Sequence, residues 1–542
     1  MKLDWMQHLI ILPVLLPLLC GALLILINEK RHQFKFIVNL GSVLLQLAVA
    51  IALIYLTDSG QWTKGMGVYL AANWSAPFGI TLVADRLASL MLLLTAVLAA
   101  AALLFSMLRW SRIGVHFHTL FQFLLMGING AFLTHDLFNL FVFFEVMLAA
   151  SYGLVLHGYN TNRIRAGMQY IAVNLAASLL FLIGVALIYA STGTMNMADL
   201  AVRLVEIDTT DLILLKIGVA ILAIAFLIKS AMWPLGFWLP TTYAAASPPV
   251  AAMLVLMTKV GAYVILRLWL LAFSSDASAA VGFGFDALLW GGMATIVFGA
   301  AGMLASQTPG RMAGYGAIIS SGTLLSVIGY GQASLVTAGL YYLIGSTLAM
   351  AAFVLLIELV ERIRSPGASM LALTMEAFAI EETPEETAGV GIPGALAFLG
   401  LAFAACALII TGLPPLSGFV AKFGLFHALL NPESADTVLT PYTWTLMALI
   451  VLSGLAAIIS MLRFGVRTFW AAGAIAAPRL HVSEVAPISL LLLLCVALTI
   501  QAGPAYDYLA RTSKDLHQPT QYIHKVLGEP VVPAPQQEGG AK

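Results

Sequence analysis

Long apolar runs recur from one end of the 542-residue sequence to the other, and they limit the fold more than any other feature. A helix needs roughly 20 predominantly apolar residues to cross a bilayer. Hydrophobic residues make up 61% of the chain and charged residues only 10%, a balance that soluble domains do not have. Apolar segments in lipid must satisfy their backbone groups internally, so they fold as helices. The sequence therefore predicts an all-α polytopic membrane protein.

The runs predict about fourteen transmembrane helices. Only Lys2 precedes the first run, and no small-residue cleavage site follows it, so we expect a retained helix and not a signal peptide. The predicted helices are 7–27, 35–56, 82–107, 116–134, 136–157, 167–191, 211–238, 243–272, 287–306, 311–330, 335–361, 394–430, 441–468 and 485–504.

Basic residues predict the orientation, because loops rich in Lys and Arg stay in the cytoplasm. An even number of crossings places both termini on one side. The loops of the opposite side, here called the arginine-rich face, hold 13 of the 26 basic residues, and the termini's side holds 6 outside the C-terminal tail. We therefore expect both termini to be external. The 13 residues are Lys30, Arg31, Lys35, Arg109, Arg112, Arg163, Arg165, Arg311, Arg362, Arg364, Arg463, Arg467 and Arg479.

Two of the predicted helices contain residues that interrupt a helix. KSAMWPLGFWLP occupies 229–240 and GLPPLSGFVAKF occupies 412–423. Each lies fourth in a group of five helices, and the odd number makes the second group start from the opposite face. This arrangement predicts two inverted five-helix repeats with paired broken helices, a device that transporters use to build a site near the midplane. The residues expected to break the helices are Pro234, Pro240, Pro414, Pro415 and Gly418.

The predicted organisation has four segments. They are a three-helix segment 1–110, a first repeat 111–275, a second repeat 285–470, and a last segment 480–542 with one helix and an external tail, disordered from about 516. Within the second repeat, the loop 362–393 faces the cytoplasm and is rich in glutamate. It is either a solvated connection or a docking surface for a partner subunit. Its glutamates are Glu376, Glu381, Glu382, Glu385 and Glu386.

Glu145 is the one acidic residue deep inside an apolar run. Charges at this depth are costly and usually functional. Lys229 belongs to the same five-helix unit and is its natural partner. A carboxylate that moves or is neutralised would change whether Lys229 holds its proton, which is the basis of a switchable proton carrier. The structural alternatives are a buried ion pair for Glu145 and a cap on carbonyls freed by the break for Lys229.

Lys259 and Lys422 complete the mid-membrane charges. Hydroxyl groups and water between the lysines would let protons pass laterally, although such hydroxyls more often serve helix packing. His427, about one turn beyond Lys422, is either a helix-end residue or a proton exit. The candidate hydroxyl residues are Ser230, Ser320, Ser321, Thr323, Tyr341, Ser346 and Thr347.

Several function classes find no support in the sequence. Cys20, Cys406 and Cys495 are isolated in apolar runs and have no metal-ligand spacing, so we expect neither a metal site nor a cofactor. The formal net charge is zero, which gives no basic footprint for nucleic acid.

These motifs resemble a known family. The Glu145 helix, the K-x4-P-L-G-F-W-L-P element at Lys229, Lys259 and the LPPLSGFVAKF element are similar to the antiporter-like subunits of respiratory complex I, membrane-bound hydrogenases and Mrp-type sodium/proton antiporters. The resemblance covers roughly 80–470. It implies that Glu145 and Lys229 form the modulating pair, that Lys259 is the central relay and that Lys422 is the terminal lysine. Relatives often place a histidine between the last two, and 287–357 contains none.

Within the family, the chain looks most like the D subunit of the Mrp antiporter. That resemblance predicts a non-enzymatic, proton-translocating subunit in a bacterial cytoplasmic membrane, with other antiporter subunits as partners. Sodium would pass through a partner, since this chain has no cluster of mid-membrane carboxylates. The alternatives are a proton-pumping arm of complex I or of a membrane-bound hydrogenase, and an inert assembly scaffold.

Overall fold

The computed structural model describes residues 5–62, 65–158, 160–205, 207–274, 280–364, 394–431, 440–469 and 479–531. Within these ranges, twelve helices are long and apolar enough to cross a membrane. The glutamates of the acidic loop, predicted as either a solvated connection or a docking surface, lie outside the described residues. The protein is therefore a multi-pass membrane protein, as its apolar runs predicted.

The described part of the chain contains twenty α-helices and two short strands. The first ten helices are α1 (Trp5–His8), α2 (Leu12–Leu26), α3 (His32–Asp58), α4 (Arg86–Ser106), α5 (Phe117–Leu133), α6 (Leu137–Leu156), α7 (Thr161–Thr192), α8 (Met197–Arg203), α9 (Thr209–Lys229) and α10 (Leu239–Ala245). The others are α11 (Pro248–Ala272), α12 (Phe285–Ala305), α13 (Pro309–Tyr330), α14 (Ala333–Glu361), α15 (Gly394–Thr411), α16 (Ser417–Leu430), α17 (Pro441–Phe469), α18 (Val482–Ile500), α19 (Ala502–Leu516) and α20 (Pro519–Leu527).

The observed helices are consistent with fourteen predicted segments. Two of those segments, α2 and α5, are apolar but shorter than 18 residues. The seventh predicted segment, 211–238, ends early, because α9 stops at Lys229 and α10 starts only at Leu239. The twelfth is divided into α15 and α16. The number of crossings and the inverted repeats remain predictions.

Helix α11 forms the centre of the molecule. Its apolar window is entirely buried, and it packs against α4, α5, α9, α13 and α14. Helices α3, α7, α15 and α18 have a third or less of their apolar windows buried, as expected of helices that face lipid or other subunits. A charge on α11, such as Lys259, is therefore enclosed by protein on all sides.

Buried amide side chains join α2, α3 and α5. Gln122 Nε2 donates to Asn39 Oδ1 (2.7 Å), Gln46 Nε2 donates to Gln122 Oε1 (3.3 Å), and Asn129 Nδ2 donates to Gln46 Oε1 (3.1 Å) and to the Pro13 carbonyl (2.9 Å). In an apolar surrounding, such bonds hold helices together because the unpaired alternative is costly. These hydrogen bonds fix the positions of α2, α3 and α5 relative to one another.

The C-terminal segment corrects one prediction. Residues from about 516 were expected to be disordered, but α20 is helical from Pro519 to Leu527. Helices α19 and α20 are amphipathic, and their apolar sides pack on the end of the bundle where α4 begins. Tyr522 and Val526 of α20 are buried there. An ion pair between Asp515 and Arg86 (2.5 Å) fastens α19 to the start of α4.

A buried ion pair closes the same end of α11. Arg267 Nη2 lies 2.8 Å from the Asp85 carboxylate, just before the first residue of α4. Burial alone would raise the pKa of Asp85, but the Arg267 guanidinium reverses this effect and the pKa of that carboxyl lies below its usual value. A short antiparallel hairpin, β1 (Gly67–Leu70) with β2 (Thr81–Ala84), precedes Asp85 and pairs Gly67 with Ala84.

Candidate functional site

The first break begins directly after Lys229, which is the last residue of α9. Ala231 adopts a left-handed conformation (φ 57°), and Trp233–Pro234 is a cis peptide. Pro234 therefore lies in the break, as expected. Pro240 does not, because it occupies the first turn of α10, where a missing N–H costs nothing.

Lys229 hydrogen bonds to an asparagine that the sequence reasoning missed. Its Nζ donates to Asn174 Oδ1 of α7 (2.7 Å), and both side chains are buried. Asn174 in turn donates to the Tyr170 carbonyl of its own helix (2.8 Å). The available signal was an amide well inside the apolar run 167–191, whose other amide, Gln169, lies near its start.

Glu145 and Lys229 line one small cavity between α6, α7 and α9. The cavity measures about 10 Å³, close to the minimum of about 10–15 Å³ that a water molecule needs. Glu145 Oε1 is buried and has no hydrogen-bond partner in the described part of the chain. The structure thus places the two residues in one cavity, but the Lys229 ammonium group bonds to the neutral amide of Asn174. The buried Glu145 oxygen is left available to accept a hydrogen bond.

Ser230 lies at the start of the break, close to α11. Its hydroxyl donates to the Phe226 carbonyl (2.9 Å). A Cβ at Gly261 would lie 2.5 Å from Ser230 Oγ, so the glycine permits a close approach of α9 to α11. Gly261 therefore makes room for the neighbouring helix α9.

Lys259 connects to two of the predicted hydroxyls. Its Nζ donates to Ser320 Oγ of α13 (2.7 Å), and Ser320 Oγ lies 3.0 Å from Ser346 Oγ of α14. Lys259 is 1% exposed. These contacts lead from the central helix α11 through α13 to α14.

The second break places Lys422 over the end of the preceding helix. Helix α15 ends at Thr411, and Lys422 Nζ donates to the Thr411 carbonyl (2.7 Å). Gly412 has φ 79°, and a Cβ there would lie 2.5 Å from Lys422 Cδ. A Cβ at Gly454 of α17 would lie 2.9 Å from Nζ. Two glycines therefore leave space for this lysine.

Prolines and glycines at the second break have different roles. Pro414–Pro415 is a cis peptide within the break, as expected. Gly418 was expected to break the helix, but it lies inside α16. A Cβ at Gly418 would overlap the Ile409 carbonyl oxygen, so this glycine allows close packing of α16 on α15.

A second cavity joins the central hydroxyls to Lys422. Ser320, Ser346, Tyr342 and Lys422 all line it. Its volume is about 30 Å³, enough for one or two water molecules at about 10–15 Å³ each. Lys259 and Lys422 are thus separated by two hydroxyl groups and a space that can hold water.

The other predicted hydroxyls make local contacts. Thr323 donates to the Ile319 carbonyl and Thr347 to the Leu343 carbonyl, each within its own helix. Tyr341 donates to the Leu498 carbonyl (2.9 Å) and stacks on Tyr506, which fixes α14 to α18 and α19. Ser321 is buried, and its hydroxyl has no hydrogen-bond partner among the described residues. His427 lies in the last turn of α16.

One interval of the predicted path has no link. No hydrogen bond within the described ranges connects Lys229 or Asn174 to Lys259. The site therefore consists of two clusters. The first contains Glu145, Asn174 and Lys229, and the second runs from Lys259 through Ser320 and Ser346 to the cavity at Lys422.

Comparisons with known proteins agree on one relationship. The family model described as "NADH:quinone oxidoreductase/Mrp antiporter, TM" matches residues 134–448. The chain is 53% identical, over 97% of its length and 99% of the relative's, to a Rhizobium meliloti protein named as the probable D subunit of a K(+)/H(+) antiporter. It is 34% identical, over 97% of its length and 100% of the relative's, to the D subunit of a Na(+)/H(+) antiporter of Alkalihalophilus pseudofirmus.

The fold matches a solved structure over nearly its whole length. A chain in the structure of the Mrp complex from a Dietzia species superposes with a TM-score of 0.81. The match covers 97% of this chain and 100% of the other, at 26% sequence identity. All of these similarities agree with the resemblance inferred from the motifs.

Proposed function

We propose a function from one premise: the chain belongs to the NADH:quinone oxidoreductase/Mrp antiporter membrane-subunit family, and its curated relatives are antiporter D subunits. The relationship to these D subunits, predicted from the motifs, is confirmed. The function is proton translocation within a multisubunit cation/proton antiporter. Protons are held on Lys229, Lys259 and Lys422, and Glu145 controls their release.

The observation that carries this proposal is the polar connection between Lys259 and Lys422. It passes through Ser320, Ser346 and a cavity with room for water. Ammonium groups, hydroxyls and water can each take part in a chain of proton donors and acceptors. Burying a lysine in a bilayer costs free energy, and a role as proton carrier would explain why the chain has three such lysines.

Glu145 and Asn174 act as alternative partners for Lys229. In the structure, the ammonium group donates to the neutral amide of Asn174, and the Glu145 oxygen in the same cavity is unpaired among the described residues. A shift of the Lys229 side chain from Asn174 to Glu145 would strengthen proton binding, because a carboxylate stabilises the ammonium form. The two clusters would then exchange protons through water near the first break.

We infer the coupled cation and the partner subunits from the names of the relatives. The relative at 53% identity is named for potassium, and the one at 34% for sodium. We propose a monovalent cation, with potassium as the first candidate and sodium as the second. The cation passes through a partner subunit, and the complex lies in a bacterial cytoplasmic membrane with both termini of this chain outside.

Cation-induced dissipation of a pH gradient in inside-out vesicles tests the proposal. The complete complex is expressed in a host that lacks its own antiporters, and potassium or sodium is added to energised vesicles. We expect Glu145→Gln and Lys229→Ala each to remove the response while the complex assembles normally. Full exchange in both assembled variants would refute the mechanism.

A narrower test addresses the path between the lysines. Ser320→Ala removes the hydroxyl that joins Lys259 to Ser346, and we expect slower exchange with unchanged assembly. Thr347→Val is the matched control, because the Thr347 hydroxyl donates to its own helix. Equal exchange in the two variants would show that the hydroxyl bridge is not used.

The second candidate is a proton-pumping arm of a redox complex, since the matching family includes NADH:quinone oxidoreductase subunits. The chains that purify with this one distinguish the two. Antiporter subunits favour the first proposal. Subunits that react with quinone or NADH favour the second.

A further inference from the structure

A large cavity on the arginine-rich face plays no part in the proposed proton path. It has a volume of about 750 Å³ and lies among α7, α10, α11, α13 and the end of α14. Its wall contains four arginines and two glutamates, a formal net charge of +2. The arginines are Arg109, Arg163, Arg165 and Arg311, and the glutamates are Glu358 and Glu361.

Two of the arginines form a fixed wall. The guanidinium groups of Arg109 and Arg163 lie 5.0 and 5.3 Å from the ring centre of Trp110. Trp110 Nε1 donates to Glu358 (2.6 Å), and Arg109 also contacts that carboxylate (3.2 Å). Arg163 donates to the Ala245 carbonyl (2.9 Å). The negative charge of Glu358 is therefore already compensated by its own partners.

The other two arginines are free to bind a ligand. Arg165 of α7 and Arg311 of α13 are exposed, and neither makes a hydrogen bond or ion pair with any described residue. They reach the same cavity from different helices. A guanidinium fork matches the geometry of a phosphate group, and two forks can enclose one.

Helix geometry adds donors at the same place. The first turns of α7, α11 and α13 all line the cavity, so three positive helix ends converge there. The α13 terminus has no side-chain cap, and its first helical bond is from Met312 N to the Thr308 carbonyl. The backbone amides of Gly310 and Arg311 consequently donate to no carbonyl in the described part of the chain. Uncapped amides of this kind bind anions.

We propose that this cavity is a phosphate-binding site. Arg165, Arg311 and the uncapped amides of α13 bind the phosphate oxygens, while Arg109 and Arg163 supply long-range attraction. The ligand is the phosphodiester of an anionic lipid or a free phosphate, since both present the same chemistry. Orientation in the membrane requires only that arginines lie in the loops of this face, whereas these four line one cavity.

Two measurements on the purified complete complex distinguish the sources. The first is thermal protection by inorganic phosphate relative to chloride at equal ionic strength. The second is native mass spectrometry after incubation with phosphatidylglycerol or phosphatidylcholine. Arg165→Gln/Arg311→Gln is the test variant. Arg31→Gln is the control, because Arg31 lies on the same face but outside this cavity.

We expect the double variant to bind at least about tenfold more weakly, because it loses two charge-assisted contacts, while Arg31→Gln matches wild type. Protection by phosphate that the double variant loses supports a free phosphate. Selective retention of phosphatidylglycerol that the double variant loses supports a lipid headgroup. Equal behaviour of wild type and double variant in both measurements overturns the proposal.

Discussion

The two broken helices place their lysines on opposite sides of the break, with different partners. Lys229 ends α9, and its ammonium group donates to the side chain of Asn174 on a neighbouring helix. Lys422 follows the break within α16 and donates to the backbone of Thr411, where the preceding helix ends. The partner of Lys229 is therefore a side chain of another helix, and the partner of Lys422 is a backbone carbonyl at its own break.

The difference shows that a lysine beside a helix break can have two separable roles. The sequence offered Lys229 as a possible cap on carbonyls freed by its break. In the structure it is Lys422 that makes such a contact, because its ammonium group donates to the Thr411 carbonyl at its own break. Lys229 instead shares a cavity with Glu145. We infer that Lys229 is the switch and that Lys422 combines a structural contact with proton storage.

The largest effect is expected when Lys229 or Lys422 is replaced by glutamine, a change that tests proton transfer separately from hydrogen bonding. In Lys229→Gln and Lys422→Gln the side chain keeps an N–H donor on the side of Asn174 or Thr411, one bond shorter than that of lysine, but it does not titrate. We expect both complexes to assemble and to lose exchange by about a hundredfold or more, the usual contribution of a positioned proton-transfer group. Exchange in inside-out vesicles measures this loss, and membrane protein amounts verify assembly.

Lys422→Gln decides whether the second lysine carries protons at all. If that variant assembles and exchanges at the wild-type rate, Lys422 is only a cap on Thr411. Lys422→Ala is the companion variant. It leaves the Thr411 carbonyl unpaired at a cost of about 1–3 kcal/mol, and we expect it to reduce assembly.

A smaller effect is expected at the partner of Lys229. Asn174→Asp places a carboxylate where the amide oxygen lies 2.7 Å from Nζ. The charged pair should hold the proton more tightly and slow exchange by about tenfold or more. Asn174→Leu removes the partner without adding charge, so exchange should remain faster than in Asn174→Asp. The reverse order of rates would contradict the switch role of Lys229.

Gly412→Ala should destabilise the second break. An alanine at φ 79° costs about 1–2 kcal/mol, and its Cβ would also press on the Lys422 side chain. The thermal denaturation midpoint of the purified complex should fall. A midpoint equal to that of wild type would mean that the break can rearrange, and that the space left for Lys422 is not required.

The smallest effect is expected at the matching position of the first break. Ala231 already adopts φ 57°, so Ala231→Gly relieves steric strain but makes the unfolded chain more flexible. The two terms oppose each other, and we expect a change within about 1 kcal/mol. A large shift of the midpoint in either direction would show that the two breaks are not equivalent in backbone geometry.

Local patterns were sufficient for most of the fold and for the identity of the charged residues. Apolar runs set the helices, since a bilayer allows few alternatives to a helix. A lysine inside such a run is conspicuous without any structure, so Lys229, Lys259 and Lys422 could be found from the sequence. The prolines were harder to interpret: Pro234 lies in a break and Pro240 starts a helix, a distinction that depends on where the helix resumes.

The sequence by itself determined which charges enter the membrane, because composition and position along an apolar run are local properties. Only the tertiary structure decided their partners. Asn174, the Thr411 carbonyl and Ser320 were selected by the rotation and approach of neighbouring helices, which the order of residues in a single helix does not specify. For the same reason, Ser320 and Ser346 lie between two lysines, while Thr323 and Thr347 bond to their own helices.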